Sequence, residues 1–128
     1  MRVFAALLIS VAAARGADLP AAHESLDEMA RAAGLRSWKI SIAPLVTSQT
    51  LDAASSYGMR ELNPLLASSN GGFEMKAAAI KLGATGVLVG VEYLVVRKYP
   101  RSARAISKLN WTTGIITTGF AVHNFAIR

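Results

Sequence analysis

Six polar residues of this chain carry side chains suited to acid–base or ion-binding chemistry: Asp52, Glu61, Asn63, Lys81, His123 and Asn124. Asp52 and Glu61 can serve as acids, bases or oxygen ligands, and Lys81 as their counter-charge. His123 is the member of the set that ordinarily titrates near neutral pH, which suits a proton carrier. They stand in or beside segments poor in charge, where a lone ionised group would cost about 2.5–3.5 kcal/mol at the centre of a bilayer. Residues of this kind mark either a site or a structural link. Spacing assigns no catalytic residue: Ser48, His123 and Asp52 supply the types of a hydrolytic triad, but nothing in their order brings them together. His23 and His123 stand 100 residues apart and neither has a second histidine at i, i+4, so no metal and no cofactor is expected. Were a metal held, Asp52, Glu61 and His123 would be its ligands.

The elements that must position these residues follow from composition. The chain has 128 residues, of which 52% are hydrophobic and 17% charged, with a mean hydropathy of +0.36. A soluble domain carries roughly a quarter charged residues, so surface-forming material is short. The apolar fraction excludes a disordered chain, and the absence of Cys excludes disulfide scaffolds and thiol catalysis. A net charge of +6 suits a nucleic acid or a membrane surface. The basic residues lie in short stretches between apolar ones, which favours the lipid bilayer as partner over any nucleic acid.

The pattern predicts an all-α fold: a small integral membrane bundle of about three transmembrane helices after an N-terminal signal-like segment. Residues 1–17 read as a signal peptide, with Arg2, an apolar run over 3–14 and small residues around Ala14; that run is too short to span a bilayer. Residues 18–39 read as a polar, amphipathic lead-in. There Ser25 and Glu28 have capping-box spacing and Gly34 is expected to end the helix. The transmembrane domain covers 40–128, with helices over 40–57, 77–96 and 109–127; the last contains no Asp, Glu, Lys or Arg. Asn63-Pro64 and Asn70-Gly71-Gly72 form turns. Arg97, Lys98, Arg101, Arg104 and Lys108 form a basic loop that contacts lipid headgroups, and Trp38, Tyr57, Tyr93, Tyr99 and Trp111 sit near segment ends as interface rings.

Helical projection sorts the polar groups. The first helix gathers Ser41, Ser48, Gln49, Asp52, Ser55 and Ser56 on one side. The second has a ridge of Ala79, Gly83, Gly86 and Gly90, suited to helix packing or self-association, opposite a stripe of Glu74, Lys81 and Glu92. The third aligns Asn110, Thr113, Thr117 and Asn124. Gly83-Ala84-Thr85-Gly86 is no nucleotide loop, because no strand precedes it. With antiparallel neighbours, Asp52 and Lys81 fall at matching depth and should pair. Glu61, Asn63, His123 and Asn124 converge at the same end, while Glu92 and Asn110 meet at the other.

The Asp52-x-x-Ser55 stretch, the Glu61-x-Asn63-Pro64 turn, Lys81 and the closing His123-Asn124 resemble the pattern of an uncharacterised family of small bacterial multi-pass membrane proteins. The resemblance covers residues 38–128 and implies a helical membrane protein, with no reaction attached. In place of the Ser-Thr pair that family shows, this chain has Ser55-Ser56.

Two expectations conflict. A cleaved signal would put the basic loop outside after three spans, whereas basic loops favour the cytoplasm. The functional expectation is a non-catalytic accessory or assembly subunit of a membrane complex, most naturally in the bacterial inner membrane, partnered by other membrane subunits or by its own copies. The alternative is an embedded site for an ion or small polar ligand built on Asp52, Glu61, Lys81 and His123.

Overall fold

A computed structural model describes residues 19–127. The expected signal peptide over 1–17 lies outside the described residues. The chain contains helix α1 (Leu19–Ser56), helix α2 (Met75–Lys98), a single 3-10 turn (Pro100–Ser102) and helix α3 (Ala103–Ala126). Contacts divide the chain into two units, Met1–Ala33 and Gly34–Arg128. The described part of the first unit is helical, with exposed side chains at Leu26 and Met29. The second unit is an all-α three-helix bundle.

Gly34 does not end a helix, contrary to expectation. It is buried within α1, and a Cβ there would lie 3.2 Å from Cγ of Arg104 and 3.7 Å from Cβ of Ala103. Its small size serves the approach of α1 to the start of α3. Pro44 also lies inside α1. It has no N–H to give the carbonyl one turn back, yet the helix continues. Its own carbonyl oxygen would stand 3.2 Å from a Cβ at Gly114, so α1 and α3 nearly touch backbones there.

Heptad spacing explains the packing. On α1 the buried residues Trp38, Ser41, Leu45, Ser48, Asp52 and Ser55 alternate steps of three and four, and on α3 Ala103, Ser107, Asn110, Gly114, Thr117 and Ala121 do the same. This 3.5-residue repeat keeps one seam of each helix facing its neighbour. Cross-links rise together along α1 and α3 (Ser37 to Ser107, Gln49 to Thr117, Ser56 to Asn124), so those helices run parallel. Links from α1 to α2 run in opposite order, Trp38 to Glu92 and Asp52 to Lys81, so α2 is antiparallel to both.

The basic stretch is more helical than expected. Arg97 and Lys98 form the last turn of α2, where cations suit the helix dipole, while Arg104 and Lys108 already belong to α3. Pro100 begins the 3-10 turn between them. At the other end, residues 57–74 fold on themselves. Gly58 and Gly71 take positive φ of 80° and 77°, which a side chain would strain. Gly58 N–H donates to the Phe73 carbonyl and Phe73 N–H to that of Met59, both at 2.8 Å, and the Phe73 ring is buried against Ala53 and Ala77.

Polar side chains share the interior with the apolar core of Trp38, Leu45, Phe73 and Val96, and many large apolar side chains lie outside. Ser41, Ser48, Asp52, Ser55, Thr85, Glu92, Ser107, Asn110 and Thr117 are buried. Val87, Leu94, Ile115, Phe120 and Val122 are each more than 60% exposed. Among the described residues, only α2 is long and apolar enough to cross a membrane, with a mean hydropathy of 1.7 over its best window. The segment at 109–127, expected to be the clearest span, does not reach that level. It lacks formal charge but contains Asn110, Thr112, Thr113, Thr117, Thr118, His123 and Asn124, and freedom from charge is not apolarity.

Candidate functional site

Two polar layers cross the bundle. The first is centred on Asp52 of α1 and Lys81 of α2, whose carboxylate Oδ2 and ammonium Nζ form an ion pair. The Asp52 side chain is 10% exposed and that of Lys81 27%. Heptad position turns Asp52 into the seam, and Lys81 answers from the polar stripe of α2. Around them hydroxyls bond back to their own helices: Ser55 Oγ donates to the Asp52 carbonyl at 3.0 Å and Thr85 Oγ1 to the Lys81 carbonyl at 2.9 Å. One turn further along α1, the Asn124 amide of α3 donates to Ser56 Oγ at 3.0 Å and Ser55 Oγ at 3.4 Å.

The other expected members do not join this layer through any direct contact. Glu61 Oε1 accepts the Asn63 backbone N–H at 2.7 Å, and Asn63 Oδ1 accepts that of Leu65 at 3.0 Å. The Glu-x-Asn-Pro motif thus spends its polar atoms on holding its own turn. Glu74 is used similarly, accepting from the Asn70 amide at 2.7 Å. His123 is exposed, because it precedes Asn124 by one residue and therefore points about 100° away from it. Among the described residues no three His, Cys, Asp or Glu side chains gather as a metal site, so Asp52, Glu61 and His123 are not assembled as ligands. Ser48 donates to the Leu45 carbonyl at 2.8 Å and forms no hydrolytic triad with His123.

The second layer lies near the basic end. Oε2 of the buried Glu92 accepts from the Trp38 indole N–H at 3.0 Å and from the Asn110 amide at 2.9 Å. The Asn110 amide also reaches Ser41 Oγ at 3.2 Å. The meeting of Glu92 with Asn110 follows from the depth argument, but the part of Trp38 does not. Expected as an interface ring, it is only 5% exposed and packs with Val96 and Ala103. The heptad seam that includes Trp38 was the available clue. Ser37 and Ser107 share a hydrogen bond at 2.8 Å just beyond this layer, and Tyr93 lies beside the indole with ring centroids 6.4 Å apart.

The network is complete: among the described residues, no fully buried side-chain nitrogen or oxygen lacks a partner. Such an arrangement orients helices and holds charge. The small-residue ridge plays no part within the bundle. Ala79 is exposed, and a Cβ at Gly83, Gly86 or Gly90 would meet nothing within 4 Å. The lipid-facing roles expected of Arg97, Lys98, Arg101, Arg104 and Lys108 concern side chains that are all exposed. Compared with family models, curated proteins and solved structures, the chain matches none.

Proposed function

We propose that this chain is a small multi-pass protein of the bacterial inner membrane, acting as a non-catalytic accessory or assembly subunit that packs against other membrane subunits or its own copies. The observation that carries this reading is the burial pattern: bonded polar seams share the interior with a few apolar residues such as Trp38 and Leu45, while most large aliphatic and aromatic side chains lie outside. In water that distribution forfeits the hydrophobic driving force; in lipid it is the economical one. The length of the charge-free stretches agrees. Eighteen helical steps separate Lys108 from Ala126, about 27 Å at ~1.5 Å per residue, close to the thickness of the hydrocarbon core. Between Lys76 and Arg97 the only charges on α2 are Lys81, paired to Asp52, and Glu92, bonded to Trp38 and Asn110. The accessory role is supported by α2, of which only 17% of the most apolar stretch is buried and whose glycine ridge is unoccupied.

Alkaline carbonate washing of membranes tests the location. The full chain should stay in the pellet; release into the aqueous fraction would overturn the reading. Purification in mild detergent tests the role, with a co-purifying subunit or a homo-oligomer expected. A lone monomer would remove the accessory assignment. A second reading, an embedded site for an ion or small polar ligand, is favoured by the residual exposure of Lys81 beside Asp52. It predicts that a polar solute changes the reactivity of that pair.

A further inference from the structure

We propose that the end of the bundle around the α2–α3 turn is a binding collar for anionic phospholipid headgroups, contributed by all three helices; this rests on the membrane reading above. The fold adds to the basic turn two residues that the sequence places far from it. Trp38 of α1 packs with Val96 of α2 and Ala103 of α3, and Ser37 bonds Ser107. Arg36 and Lys39, which flank that pair of α1 residues, therefore stand at the level of Arg97, Lys98, Arg104 and Lys108. All six are exposed, as is Arg101 in the turn.

Within residues 34–127, no exposed acid lies at the level of Arg36, Lys39, Arg97, Lys98, Arg104 and Lys108. From Gly34 onward the acids are Asp52, Glu61, Glu74 and Glu92. Only Glu92 lies in this part of the bundle, and it is buried on Trp38 and Asn110. The opposite end mixes signs, with Glu61 and Glu74 among Arg60 and Lys76. The basic side chains are also interleaved with exposed apolar ones, Leu94, Tyr99 and Leu109, and Lys98 lies 5.3 Å from the centre of the Tyr99 ring. A partner must neutralise cations and cover hydrocarbon over the same few ångströms. An anionic phospholipid does both, phosphate to guanidinium and ammonium, acyl chain to leucine; a polynucleotide would leave the apolar residues uncovered. The collar also sets orientation, with the α2–α3 turn in the cytoplasmic leaflet and the 57–74 loop on the other side.

The chain contains two tryptophans, Trp38 and Trp111, both in this half of the bundle, with Trp111 45% exposed. Their intrinsic fluorescence therefore reports on this end. The full chain is reconstituted into phosphatidylcholine vesicles in which brominated phosphatidylglycerol or brominated phosphatidylcholine replaces the same mole fraction. Quenching should show a preference for the anionic lipid of at least about fivefold, the scale of one retained basic contact. The preference should fall to near unity in about 1 M salt and when Arg36, Lys39, Arg97, Lys98, Arg104 and Lys108 are all changed to Gln. It should persist in the control Arg60→Gln, Lys76→Gln. Equal quenching by both lipids in carbonate-resistant vesicles would overturn the collar and leave the membrane reading standing, as would a preference that survives the collar substitutions. Protein that fails to associate with vesicles overturns both. Collar-dependent binding of a labelled RNA, without lipid preference, would reassign the surface to nucleic acid.

Discussion

Trp38 and Asn110 donate to the same oxygen of Glu92, joining three helices at one buried carboxylate. The geometry makes Glu92 an acceptor shared by two neutral donors. Glu92→Gln retains an acceptor oxygen and should cost less than about 1 kcal/mol, whereas Glu92→Leu strands both donors and should cost about 2–3 kcal/mol. Reversible unfolding in mixed micelles would rank the two; equal losses would mean that the shared acceptor contributes little.

The Asp52–Lys81 pair predicts strong coupling. Asp52→Asn or Lys81→Met alone leaves one ionised group without its counter-charge in the seam and should destabilise by about 2–3 kcal/mol. The double variant should lose clearly less than the sum, because it removes both charges together. The double variant also separates the two functional readings. Normal assembly with loss of any ion or solute effect would favour the embedded site, and loss of neither would make the pair purely architectural.

Glycines should respond by position. Gly114→Ala drives a methyl against the Pro44 carbonyl at 3.2 Å and should destabilise the bundle by about 1–3 kcal/mol. Gly86→Leu and Gly90→Leu meet open space and should leave the isolated fold intact. If the ridge serves self-association, the same pair should abolish oligomers seen by cross-linking in membranes; oligomers that persist would dismiss that use.

The natural absence of Cys permits a direct test of depth. Single substitutions Val87→Cys and Ile115→Cys should resist a polar maleimide in intact vesicles, since both sites lie midway along exposed helix faces. Asn70→Cys and Arg101→Cys should label rapidly, from opposite sides of the membrane. Prompt labelling at Val87 and Ile115 without detergent would contradict an apolar surround.

Much of the architecture was legible because charge and helical period are local properties. The matching depth of Asp52 and Lys81 follows from counting residues, as does the meeting of Glu92 and Asn110. What was missed has specific causes. Gly34 has the type of a helix terminator, and only the proximity of Arg104 and Ala103 reveals why a small residue belongs there. Glu61 and Asn63 are the right types for a site, but their atoms are taken by neighbouring backbone N–H groups, a competition that residue spacing does not display. His123 shares its depth with Asn124 but not its azimuth, since one residue turns it about 100° away. The absence of charge over 109–127 does not offset the polarity of its threonines and asparagines.

The three seam serines of α1 recur at intervals of seven, and each hydroxyl donates to the carbonyl three residues before it: Ser41 to Trp38, Ser48 to Leu45 and Ser55 to Asp52. Each therefore arrives with its proton already committed within its own helix. A solitary α1 threading into lipid would have little need of a neighbour to quiet those hydroxyls, and insertion could precede assembly. Pairing with α3 would then turn on the fit of the two seams, with Asp52 and Glu92 fixing the register.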